Sequence, residues 1–66
     1  MISIENEKIM IDNYKKIEHV SPNLICLKFK EYVLNINGVN LTIILLSKDE
    51  IIMKGNFTKL DFVYEL

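Results

Sequence analysis

The chain of 66 residues has one cysteine, one histidine, one proline, two glycines and no arginine. A lone Cys26 rules out an internal disulfide, and one Cys with His19 cannot form a structural metal site unaided. Charge of either sign is also in short supply as an excess: the net charge is −1 and the pI is near 5.7, which gives no electrostatic footprint for nucleic acid or an anionic membrane. Long hydrophobic runs are missing too. The longest is Ile43-Ile44-Leu45-Leu46, whereas a membrane-spanning helix takes about 20 apolar residues. No direct membrane insertion is expected. The opening stretch from Met1 to Lys8 has no basic segment and is broken by Glu5 and Glu7, so it does not read as a secretory signal. A cytoplasmic protein with a reduced thiol is the expectation. The all-lysine basic set, with abundant Ile and Asn, suggests an AT-rich coding sequence.

What is present is apolar. Half of the residues are hydrophobic and the mean hydropathy is +0.19. A chain this short forms one domain, residues 1–66, and buries only about 60% of the surface its unfolded form exposes. Small folds usually gain stability from disulfides, a metal or association. With the first two excluded, a homo-oligomer or a protein partner is expected.

The apolar residues recur with a period of two. Ile9 and Ile11 alternate with Lys8, Met10 and Asp12; Ile25, Leu27 and Phe29 with Cys26, Lys28 and Lys30; Tyr32, Leu34 and Ile36 with Val33 and Asn35. Near the C-terminus Leu60, Phe62 and Tyr64 alternate with Asp61, Val63 and Glu65. This pattern predicts half-buried strands. Turn formers separate them at Ser21-Pro22-Asn23, Asn37-Gly38, Ser47-Lys48-Asp49 and Gly55-Asn56. Asn37-Gly38 suits a type I′ hairpin turn. The expected fold is all-β, a single small domain of short antiparallel strands. Both a meander and stacked β-turn-β units fit, the second because Ile36-Asn37-Gly38-Val39-Asn40-Leu41 echoes Ile52-Met53-Lys54-Gly55-Asn56-Phe57.

Residues 41–46 are apolar at nearly every position, which predicts a strand covered on both faces, the second cover coming from another subunit or, as the alternative, from the rest of its own chain. Ile44 and Leu46 are out of phase with Leu41, Ile43 and Leu45, and are the candidate self-association residues.

Catalytic constellations are not legible. His19 has no Ser or Cys partner beside it and reads as a solvent-facing strand residue, and Cys26, between Ile25 and Leu27, reads as a small buried hydrophobe. Asp49-Glu50 fall in a turn, and Asp61 with Glu65 reads as a solvated stripe. The Ser47-Lys48-Asp49-Glu50 capping-box pattern precedes strand-like sequence, and the glycosylation patterns at Asn40 and Asn56 read as turn residues. No enzyme, cofactor or metal is expected. The alternative class is a small β-barrel binding a ligand or single-stranded nucleic acid through Lys28, Phe29, Lys30 and Tyr32, a small cluster against an acidic background.

Residues 17–64 carry a further pattern. Ile36, Gly38, Leu41 and Ile43 fit an I-x-G-x-x-L-x-I segment; an acidic turn follows; Ile51, Met53 and Gly55 fit I-x-I-x-G with Met in the second position; Phe62 and Tyr64 close an aromatic strand. In this order the chain resembles the YabP/YqfC family of sporulation proteins of endospore-forming Firmicutes. The resemblance implies a non-enzymatic structural or interaction protein, acting in the mother cell during engulfment or cortex and coat assembly. It also implies a sporulation membrane protein as a partner, and a location in the mother-cell cytoplasm at the forespore boundary.

Overall fold

A computed structural model describes residues 1–64. It is all-β. The strands are β1 (Ile2–Glu5), β2 (Lys8–Asp12), β3 (Lys16–Val20), β4 (Leu24–Lys28), β5 (Tyr32–Leu46) and β6 (Glu50–Tyr64). They form one antiparallel sheet in the order β1-β2-β6-β5-β4-β3. Strands β3 to β6 are the expected meander, and the N-terminal hairpin adds on beyond β6. Stacked β-turn-β units are not what the chain builds.

Two strands are far longer than the sequence pattern predicts. Asn37-Gly38 and Gly55-Asn56 are not turns; they lie inside β5 and β6, whose 15 residues each run past them. Gly38 pairs across the ladder with Phe57 and Val39 with Asn56, so the two glycine segments that echo each other in sequence meet in space. The ladder slips register between Asn37 and Gly38, between Val39 and Thr42, and between Ile43 and Leu45. Bulges bend a strand and increase its twist. Asn40 sits at a φ of 56° and Gly55 at 150°, conformations that Asn and Gly adopt at little cost. The long hairpin therefore turns a corner midway.

That corner folds the sheet into two layers. The first holds β1, β2, residues 50–54 of β6 and residues 42–46 of β5. The second holds β3, β4, residues 32–37 of β5 and residues 59–64 of β6. Corner strands that pass from one layer to the next are a recognised route to such packing. The connector of residues 13–15 crosses between the layers, with Asn13 at a φ of 66°. Its Asn13 N–H donates to the Asp49 carbonyl at 3.2 Å and its Lys15 N–H to the Lys28 carbonyl at 2.7 Å.

The core lies between the layers and follows the period of two. Ile9, Ile11, Ile51 and Met53 from the first layer meet Ile25, Leu27, Leu34 and Ile36 from the second, all fully buried. Each such side chain contributes roughly 1.5–3 kcal/mol of transfer free energy. Leu41 and Phe29 complete the cluster. At the turns, the Ser21 N–H donates to the Leu24 carbonyl at 2.8 Å, which places Pro22 inside a tight turn as expected. The Ser47 N–H likewise donates to the Glu50 carbonyl at 2.9 Å. Two turns carry no strong sequence signal, Asn6-Glu7 between β1 and β2 and Lys30-Glu31 between β4 and β5.

Candidate association surface

The chain by itself covers residues 41–46 on one face only, so the second cover does not come from its own residues. Leu41 is buried and Ile43 packs on the core, but Ile44, Leu45 and Leu46 are 47%, 43% and 56% exposed. A bulge lies in the same stretch. The ladder pairs Ile43 with Met53 and then Leu45 with Ile52, so Ile44 and Leu45 together oppose the single residue Ile52. Simple alternation ends there. Leu45 joins Ile52 on the outer face, whereas Leu46 stands opposite the core residue Ile51. Ile44 and Leu46 are therefore both exposed but do not form one out-of-phase stripe with Leu41, Ile43 and Leu45 opposite.

The same segment is a sheet edge. Strand β4 pairs with β5 no further than Asn37, and among the described residues 42–46 have ladder partners on β6 alone. Unpaired strand edges template association, and proteins usually blunt them with charge, proline or brevity. Edge β3 does so, with Lys16, Glu18 and His19 exposed and a bulge between Ile17 and His19. Residues 42–46 carry no charge and no proline. The other bare edge, residues 59–64 of β6, exposes Phe62, Val63 and Tyr64.

The remaining candidates are placed as follows. His19 is exposed on β3, as expected. Cys26 is half-buried on the opposite face of β4 from Ile25 and Leu27, so it is not a core residue. Burial, and after it the charge of Glu18, push its thiol above the usual range. Phe29 is 7% exposed and stacks on Tyr32 at 4.7 Å between ring centroids. Tyr32 in turn meets Phe62 at 5.4 Å and Tyr64 at 5.3 Å. Phe29 is thus part of the core and not a platform open to nucleic-acid bases, which removes the central residue of the barrel alternative. Asp61 lies near Lys59, with 4.0 Å between charged atoms, while Glu65 is outside the described residues. Among the described residues no three His, Cys, Asp or Glu side chains are grouped to hold a metal ion, and no helix is long and apolar enough to cross a membrane.

The pattern of Ile36, Gly38, Leu41, Ile43, Ile51, Met53 and Gly55 now has a structural meaning. It is the corner of the long hairpin with the core residues that flank it. The family model that matches the chain is that of the YabP family, over residues 1–65. The protein belongs to the YabP family. Membership associates this YabP-family chain with sporulation. No curated protein and no solved structure matches it at a significant level.

Proposed function

We propose that this YabP-family protein is a non-enzymatic structural and interaction module of endospore formation, self-associating and engaging a protein partner during engulfment or cortex and coat assembly. One observation carries the reading: Ile44, Leu45 and Leu46, three consecutive large apolar residues, stand exposed on an unpaired edge that carries neither charge nor proline. A lone hydrophobic surface residue needs no explanation, but a contiguous exposed apolar group marks an interaction site. Family membership supplies the biological setting. The partner we favour is a sporulation membrane protein, met from the mother-cell cytoplasm at the forespore boundary.

The test is the light-scattering mass of the purified chain across a dilution series, with Leu46→Lys and Ile44→Lys beside the parent. The parent is expected to show a mass above that of one chain, falling on dilution, and each lysine variant to dissociate at higher concentration. A parent that stays monomeric throughout would remove the self-association reading. A fluorescent fusion followed through sporulation addresses the setting: signal confined to the mother cell and gathered at the forespore boundary supports it, and diffuse signal in vegetative cells overturns it.

A further inference from the structure

We propose that the outer face of the first layer docks a second copy of this chain, face to face, about a twofold axis running along the row Met10, Ile52 and Leu45. This rests on the self-association reading and specifies its geometry.

Residues directly opposite one another in an antiparallel ladder share a face. The register therefore draws three outer rows across β2, β6 and β5. The middle row is Met10, Ile52 and Leu45, apolar throughout, with Ile44 bulged beside it. On one side lie Lys8 and Lys54, paired with each other and followed by Thr42. On the other side lie Asp12 and Glu50, also paired with each other. Successive rows on a face are about 7 Å apart, two residues along the strand.

Two features of this face are unexplained by the isolated chain. Lysine stands directly opposite lysine and acid directly opposite acid, an arrangement that destabilises a ladder. The charges are also little compensated: among the described residues Lys8, Lys54 and Glu50 make no ion pair, and Asp12 pairs only with the N-terminal ammonium. Glu5 is opposite Lys8 at the rim but outside ion-pair distance.

A twofold along the middle row resolves both. It reverses strand direction, lays the apolar row on its own image and sets the lysine row of each copy over the acidic row of the other. Lys54 then faces Glu50 of the second copy, and Lys8 faces its Asp12, each pair occurring twice. A twofold parallel to the strands would put lysine on lysine. The face is thus complementary to itself in one orientation, which selects a second copy over an unrelated protein. Sheets stack face to face at about 10 Å, a spacing these side chains span.

The test uses charge reversal in the full chain, with far-ultraviolet circular dichroism to verify folding. Lys54→Glu and Glu50→Lys each create two like-charge contacts per dimer, so each variant is expected to dissociate at about tenfold higher concentration or more. An equimolar mixture of the two variants rebuilds both pairs in the heterodimer, as does the double variant Lys54→Glu/Glu50→Lys, and both are expected to recover the parental mass. Leu45→Lys is expected to weaken association without rescue by mixing. An associating parent whose single variants behave as it does, or whose mixture is no better than its parts, would overturn this geometry while leaving self-association standing. Sensitivity to Leu46→Lys alone would assign association to the bare edge instead. A parent monomeric at every concentration would overturn both.

Discussion

Leu41 and Gly55 occupy one space: a Cβ on Gly55 would lie 2.9 Å from Leu41 Cδ2 and 3.0 Å from Leu41 Cα. Gly38 approaches the same side chain from Leu41's own strand, where a Cβ would stand 2.7 Å from Leu41 Cδ2 and overlap the Asn56 carbonyl oxygen. The corner of the hairpin is therefore a leucine seated on two glycines, and the backbone obstructs relief at both.

Gly55→Ala is expected to destabilise the fold by about 1–3 kcal/mol, since the residue holds a φ of 150° as well as a crowded position. A domain of this size has a total stability of only about 3–10 kcal/mol at typical per-residue values. Chemical denaturation followed by circular dichroism measures the shift in midpoint. An unchanged midpoint would mean that the corner relaxes freely.

Asn40 separates conformation from packing at that corner. It is exposed, with a φ of 56°. Replacement by Val forces a β-branched residue into the left-handed region and is expected to cost about 1–2 kcal/mol. Asn40→Gly should fall within a few tenths of the parent, roughly speaking, because glycine accepts that conformation. Equal losses in the two variants would show that the Asn side chain, and not its backbone angle, is what the corner needs.

Leu27→Ala leaves a cavity between layers at a fully buried position, and a loss of about 2–5 kcal/mol is expected. Thermal unfolding reads it. Cys26→Ser, on the other face of the same strand and half-buried, is expected to lose much less. A reversed order would place the core on the wrong side of β4.

The raised pKa of Cys26 sets a pH dependence. The neutral thiol is the form favoured in the folded chain, by burial first and the Glu18 carboxylate second. The unfolded chain loses its thiol proton first as pH rises, so this contribution is intact below the ordinary thiol pKa and is lost as pH climbs from there through the folded value. Stability should decline over that alkaline window in the parent and decline less in Cys26→Ser. Glu18→Gln is expected to bring the thiol partway back toward its ordinary range, read by thiolate absorbance against pH. A titration unchanged by Glu18→Gln would leave burial as the sole cause.

The inward and outward positions ahead of the bulges could be read directly from alternation, as for Ile9, Ile11, Ile25, Leu27, Leu34 and Ile36, which all precede any bulge on their strands. The corner could not. Asn37-Gly38 and Gly55-Asn56 carry the composition of turns, yet the long-range pairing of Gly38 with Phe57 and Val39 with Asn56 keeps both segments extended. Local residue preference gave way to a ladder between residues distant in the chain. The candidate surface was legible as composition in residues 41–46, but the face of each side chain was not, since one extra residue, Ile44, inverts the phase of Leu45 and Leu46. The paired lysines and paired acids were equally out of reach, because they depend on the β2–β6 register, which alternation alone leaves free.

Strands β5 and β6 each run through both layers. The main chain therefore does the work of a cross-link: the layers cannot slide or part without tearing a ladder that crosses between them. For a chain with no internal disulfide, mechanical continuity between the two halves of the core comes from covalent backbone that no reductant can cut. The short outermost strands, β1 and β3, stand outside that continuity, each held to the sheet by one neighbour alone.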